Sequence, residues 1–286
     1  MFKTIVVHVD GGAEQESRVA AAARLAREHD AHLIGSADTG ITWMDYALLT
    51  GSMGAPAPSS AADFDGLRTA AMARLDGFRE QAGRLGVASW EARLIEDDAR
   101  WALLLQSRYA DLVVLSHDET PLANAPASGL ARRARRLPEY VALRGARPVL
   151  VVPEAYRDEP IPGTALACWD GSLQALRAIV AALPLLQRAD GVKLALVNPD
   201  ELTELHGEQP GADMALYLAR QGVRVEVVLE RSRATAGDVL MSLARDAGAG
   251  LMVSGAYGHS RYREWILGGV TRELLERARV PLLIAH

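Results

Sequence analysis

Two kinds of apolar run alternate along the chain. Short, largely β-branched stretches without polar interruption, such as Ile5-Val6-Val7 and Leu112-Val113-Val114-Leu115, are what a strand covered on both faces requires. Between them lie longer segments in which apolar residues recur every three or four positions, the period of a helix with one buried face. In the first half this pattern predicts strands over 2–9, 32–37, 88–95, 111–115 and 148–152. It predicts helices over 16–29, 63–85 and 98–109, and an arginine-rich helix before the last strand. The 16–29 segment carries its apolar stripe on Val19, Ala22, Ala23, Leu25 and Ala26, and the acidic start of 98–109 suits a helix dipole. Strands alternating with helices imply a parallel sheet with helices on both faces.

Residues 153–163, with three prolines and several charges, read as a linker, and after them the pattern starts again. Thr164 to Ser172 mirrors Thr4 to Gly12, each copy placing Asp-Gly at the end of its first strand (Asp10-Gly11 and Asp170-Gly171). Ala110 to Leu115 mirrors Ala249 to Ser254, and Ala146 to Val152 mirrors Ala278 to Ile284. Three matches in the same order indicate a duplication. The second half therefore reads as strands near 164–169, 192–197, 223–229, 250–254 and 280–285, separated by helices near 172–183, 212–221, 236–247 and 270–277. The expected fold is α/β: two tandem five-stranded parallel-sheet, Rossmann-like domains over 1–153 and 164–286. The first copy is longer mainly through 38–62, a Gly, Ser, Pro and Ala-rich loop with a short helix around 43–49, which serves as a surface insertion or as a lid.

Candidate chemistry gathers after Leu251-Met252-Val253-Ser254. Gly255 and Gly258 are spaced Gly-x-x-Gly, nine residues follow, and Gly268-Gly269 open the amphipathic segment 271–279. Strand, glycine loop and helix in that order form a candidate phosphate cradle, because glycine lets backbone approach a ligand and helix-start amides attract anions. The same spacing serves a tight turn, and 25 glycines supply many chance pairs. In an open parallel sheet the ligand crevice lies beyond the carboxyl ends of the strands, where strand order reverses. If the first and fourth strands of the second half flank that point, Asp170 and the glycine loop converge across more than eighty residues of sequence. A carboxylate for an amino group or a ribose hydroxyl, beside a loop for phosphate, suits a nucleotide. Asp170 is equally suited to an Asx-turn or cap above Ser172.

Taken together, these residues resemble the universal stress protein family, and both halves match it almost end to end as a tandem member. The resemblance implies an adenine nucleotide alpha hydrolase-like fold and, in nucleotide-binding members, Gly-x2-Gly-x9-Gly followed by Ser or Thr. Gly255, Gly258 and Gly268 match the glycines, Asp170 takes the aspartate near base and ribose, and Val197 ends the strand bordering the base. His259, Gly269 and Val270 complete the implied site. Gly269 departs from the pattern, since it stands where Ser or Thr is expected, and Thr271 is expected to face elsewhere. A lost hydrogen bond to a charged group costs about 1.5–3 kcal/mol, which lowers affinity without removing a backbone cradle. His259, Arg261 and Arg263 are either partial substitutes or solvated surface groups.

The first half departs further: Asp10 is kept, but Ser116-His117-Asp118 stands where glycines belong and Arg135-Arg136-Leu137-Pro138 lies near the position of Gly268 to Val270. Pro138 also removes an amide donor, so no nucleotide site of the family type is expected there.

Charge and composition narrow the remaining options. A formal net charge of −5 argues against a general nucleic-acid surface, with Arg132-Arg133-Ala134-Arg135-Arg136 a local exception that holds an anion, pairs with acidic groups or is simply solvated. The single cysteine, Cys168, allows no internal disulfide, no zinc spacing occurs, and its simplest role is in the core. Without an apolar run of membrane length or a leader pattern, a cytoplasmic protein is expected. No nucleophile elbow or Walker sequence is present, and His8, Asp10, His117 and Asp118 lack a nucleophile to serve. Trp265 and Ile266 read as packing residues. The expected function is a regulatory, stress-responsive protein, not an enzyme beyond slow ATP hydrolysis, that weakly binds ATP, ADP or AMP through its second domain. The alternative is an interaction protein with both sites decayed. Expected partners are an adenine nucleotide and an unidentified protein, with neither nucleic acid nor membrane, the halves packed about an approximate twofold axis and homodimerisation open.

Overall fold

The computed structural model describes residues 1–52, 57–116, 137–154, 156–157, 159–200, 209–256 and 269–286. The chain divides into two compact units, residues 2–146 and residues 147–286, the second also taking Met1.

The first unit contains β1 (Thr4–His8), α1 (Gln15–His29), β2 (His32–Asp38), α2 (Trp43–Ser52) and α3 (Ala57–Arg84). It continues through β3 (Trp90–Ile95), α4 (Ala99–Ser107), β4 (Leu112–Ser116) and α5 (Leu137–Arg144). Its strands run parallel in the order β3-β2-β1-β4, so β1 lies between β2 and β4 and the order reverses beside it. Ile5, Val6 and Val7 are fully buried because helices cover both faces, which is why their sequence does not alternate.

Helix α3 is 28 residues long and lies along β2, β3 and α1. Gly35 on β2 makes room for it: a side chain there would meet the Phe78 ring at 2.5 Å. Gln81 of α3 also donates from Nε2 to the Glu16 carbonyl of α1 at 2.9 Å. The acidic start expected for α4 is an N-cap, in which Asp98 accepts from the Trp101 amide at 2.9 Å.

The second unit contains β5 (Val149–Val152), β6 (Thr164–Cys168), α6 (Leu173–Leu186), β7 (Gly191–Val197) and α7 (Ala212–Arg220). β8 (Val225–Glu230), α8 (Ala236–Asp246), β9 (Ala249–Gly255), α9 (Gly269–Arg277) and β10 (Leu282–Ala285) complete it. The order is β5-β10-β9-β6-β7-β8, parallel throughout except that β5 pairs antiparallel with β10. β8-β7-β6-β9 repeats the order β3-β2-β1-β4, and β6 again sits where the order reverses. The fold is thus mixed α/β with a mostly parallel sheet arrangement and a repeated core. β5, read from sequence as the last strand of the first copy, packs within the second unit.

Element edges shift from the sequence reading by a few residues. α3 begins at Ala57 rather than at 63, and β3 begins at Trp90 rather than at 88. Helix and strand ends fray, and apolar periodicity does not fix their last turn.

Candidate functional site

Both repeats end their first strand in the same turn. Gly11 and Gly171 take φ of +78° and +79°, a left-handed conformation open to glycine without strain. The preceding aspartate closes each turn: Asp10 Oδ1 accepts from the Gly12 amide at 2.9 Å, and Asp170 Oδ1 accepts from the Ser172 amide at 3.0 Å. Ser172 then caps α6 by accepting from the Ala175 amide at 3.1 Å. The Asp-Gly repeat seen in the sequence is therefore an Asx-turn in both copies.

Around these turns the two crevices differ. In the first, Arg18 reaches in from α1 and is almost completely buried. Its Nη2 lies 2.6 Å from Asp10 Oδ1, its Nη1 donates to Ser116 Oγ at 2.8 Å, and its Nε donates to the His8 carbonyl at 2.9 Å. His8 Nε2 lies 3.0 Å from Asp38 Oδ2, and its Nδ1 lies 3.7 Å from Asp10 Oδ2. Arg74 of α3 closes the group from above, donating to the Asp10 carbonyl at 3.0 Å and the Asp38 carbonyl at 2.6 Å. Burial alone would raise the Asp10 carboxyl, but the Arg18 guanidinium, with His8 and the Gly12 amide, outweighs it and holds the pKa down at about 2. The carboxyl ends of β1 and β4 are thus bridged by the protein's own arginine.

The strand registers supply the counterparts in the second repeat. His8 corresponds to Cys168, Asp10 to Asp170, Arg18 to Ala178, Asp38 to Val197 and Ser116 to Gly255. One carboxylate remains, and small or apolar side chains replace the rest. Burial, and then the nearby Asp170 charge, push the Cys168 thiol up to about 12, so it stays protonated and serves as core.

The structure brings three of the sequence-predicted residues to one edge of the sheet. Cys168 is level with Ala195, so Asp170 and Val197 both lie two residues beyond that pair, and Gly255 ends β9 on the other side of β6. Val197 is half-buried. Gly255 is explained by packing as well as by any ligand, since a Cβ there would stand 2.5 Å from the Ala175 backbone nitrogen in the first turn of α6. Gly269 and Val270 open α9; Gly269 is exposed, and a Cβ on it would meet nothing within 4 Å. Thr271 turns toward the end of β9. It is buried, and its hydroxyl donates to the Gly255 carbonyl at 3.3 Å, because the first turn of α9 folds back over the end of β9.

Gly258, His259 and Gly268 lie outside the described residues. So do His117, Asp118, Arg132 to Arg136, Arg261, Arg263, Trp265 and Ile266. Among the described residues no group of three or more His, Cys, Asp or Glu is arranged to hold a metal ion.

Sequence reasoning missed Arg18, although the signal was available. Arg18 shares a helical face with Ala22, Leu25 and His29, and a charge on an inward stripe must find buried partners. It also missed Asn198, which takes φ +48° just past β7. The Asn198 Nδ2 donates to the Ser232 carbonyl at 2.9 Å while its Oδ1 accepts from the Ser232 amide at 2.9 Å, tying the ends of β7 and β8 together. Asparagine after a strand is one of the few non-glycine residues that tolerate this conformation.

The sequence profile described as the universal stress protein family matches residues 163–286. Residues 163–286 therefore carry a universal stress protein domain. A solved universal stress protein from Archaeoglobus fulgidus DSM 4304 matches with a TM-score of 0.67 at 12% identity, covering 99% of this chain and 97% of its own. A functionally unknown protein from Pseudomonas aeruginosa PAO1 matches with a TM-score of 0.54 at 14% identity, covering 99% and 92%. Among curated proteins, none matches. The coverage shows that the whole chain, both repeats included, shares the fold of these structures.

Proposed function

We propose that this chain is a regulatory, non-enzymatic universal stress protein of the cytoplasm that binds an adenine nucleotide weakly through its domain 164–286 and acts in a stress response. The observation that carries the reading is the difference between the crevices. Beside the turn that Arg18 fills in the first repeat, the second offers Ala178, Val197 and Gly255 around Asp170, so the carboxylate borders small and apolar surfaces suited to a base and a ribose. Gly269 at the start of α9 supplies helix-start backbone for phosphate, with Gly258, His259, Gly268 and Val270 as the other proposed contacts. At most the domain hydrolyses ATP slowly, since the described residues bring no nucleophile to Asp170.

Calorimetric titration with ATP, ADP and AMP tests this on the whole chain. Wild type is expected to bind weakly and Asp170→Ala to lose binding. Gly269→Ser has open space for its side chain and restores the hydroxyl of the family pattern, so it is expected to bind about 10-fold tighter, the lower end of a hydrogen bond to a charged group. No binding to either wild type or Gly269→Ser would remove the proposal.

A second reading, an interaction protein with no nucleotide, is favoured by one observation: the packing of Gly255 on Ala175 accounts for that glycine without a ligand. Copurification of a nucleotide with the chain, read by mass spectrometry, decides against it.

A further inference from the structure

Helix α6 is apolar on both sides. Ala175, Ala178, Ile179, Ala182 and Leu185 face inward and are buried. On the outer side Leu173 is 64% exposed and Val180 is 43% exposed, with Leu176 and Leu183 half-buried on the same line. Positions 173, 176, 180 and 183 form one stripe, roughly 15 Å long at the rise of an α-helix. An exposed apolar stripe of this kind belongs against another surface, yet among the described residues nothing covers this side.

The first repeat shows what belongs there. The counterpart of Leu176 is Glu16, whose carbonyl accepts the bond from Gln81, so α3 lies beside this line, with Ala20 half-buried and Ala23 buried while Ala13 and Glu16 stay exposed. The four counterparts in the first repeat are Ala13, Glu16, Ala20 and Ala23, smaller or charged beside a helix already in place. In the second repeat the corresponding helix, α7, is nine residues long and packs on β8. Its described bond to α6 is at the far ends of both helices, Gln187 Nε2 to the Gln221 carbonyl at 3.0 Å. Among the described residues no helix of that length stands beside α6, and larger apolar residues line its outer side.

Charge selects the occupant. Arg177 borders the stripe, Arg188 lies eleven residues on along the same side, and both are exposed without an ion pair among the described residues. Antiparallel pairing of α6 with α6 from a second copy about a twofold axis would bring the two Arg177 guanidiniums to the same edge, which like charges oppose. We infer that the outer face of α6 docks an amphipathic helix of a partner protein, with an apolar stripe set against Leu173, Leu176, Val180 and Leu183 and acidic residues against Arg177 and Arg188.

Fluorescence anisotropy on the whole chain tests this with two synthetic helical peptides that share a leucine stripe and differ only in flanks of Glu or Lys. The Glu-flanked peptide is expected to bind at least about 10-fold tighter than the Lys-flanked one. Leu173→Glu with Val180→Glu is expected to abolish binding, and Arg177→Glu with Arg188→Glu to reverse the preference. All four substituted positions are exposed, and unchanged thermal melts confirm that the variants fold. Failure of the Glu-flanked peptide to bind, equal binding of both peptides, or binding that survives Leu173→Glu with Val180→Glu overturns the proposal. So does a dimer in sedimentation velocity that Val180→Glu dissolves, since the face would then belong to a second copy.

Discussion

The crevices beside β1 and β6 share a backbone and differ in what stands on it. Gly11 and Gly171 turn the chain at nearly the same φ, and Asp10 and Asp170 close that turn in the same way. In the first repeat the aspartate is the end of a chain of polar contacts running through Arg18 to Ser116, with His8 and Asp38 alongside. In the second, Ala178 and Gly255 stand where Arg18 and Ser116 would be, and the ends of β6 and β9 are joined without any side-chain bridge between those two positions. A fold can therefore hold its switch-point crevice in two ways, by satisfying it internally or by leaving it lined with small side chains.

The comparison breaks most visibly at Arg18. Arg18→Ala strands Asp10, Ser116 and the His8 carbonyl, and is expected to destabilise the first unit by about 3 kcal/mol in urea unfolding, the low end for a broken buried pair because Asp10 keeps some solvent contact. A loss under about 1 kcal/mol would show that the arginine does not close that crevice.

Gly255→Ala probes the other crevice. It drives a Cβ to 2.5 Å from the Ala175 nitrogen, and backbone cannot swing aside, so a loss of about 1–3 kcal/mol is expected by the same measurement. If the variant is as stable as wild type, β9 and α6 are not in close contact.

Acid sharpens the contrast. The folded Asp10 pKa of about 2 lies below its ordinary 3.8, so its contribution is fully present above 3.8 and is lost as pH falls through about 2. Allowing for the solvent-facing part of its side chain, roughly 1–2 kcal/mol should disappear from the first unit over that window. Asp10→Asn should remove this part of the acid dependence, and an unchanged acid profile would contradict the Arg18 pairing.

Thr271→Val is the mildest probe. It deletes one hydroxyl donor to the Gly255 carbonyl and is expected to cost about 1 kcal/mol in thermal unfolding. A neutral result would mean that the first turn of α9 is held by packing alone.

Most of this architecture was legible in the sequence because its signals are local or repeated. Uninterrupted runs such as Ile5-Val6-Val7 mark strands buried on both faces, and the duplicated Asp-Gly marks the turn at each switch point. Asp170, Val197 and Gly255 reach a common edge because parallel pairing brings strands far apart in sequence side by side. What stayed hidden was the direction of single side chains. Nothing in the residues around Thr271 states that α9 folds back over Gly255, and nothing local to Asp10 states that its partner lies eight residues on along a helix. The role of Gly255 in packing was also hidden, since the contact is with α6, eighty residues earlier in the sequence.

The antiparallel pairing of β5 with β10 has a practical corollary for anyone dissecting the chain. A fragment beginning at Thr164 would leave the Leu282 to Ala285 strand with a bare row of amides and carbonyls, an adhesive border for any neighbouring polypeptide. Such a fragment should clump or pair with itself, whereas one that starts ahead of Val149 carries its own seal.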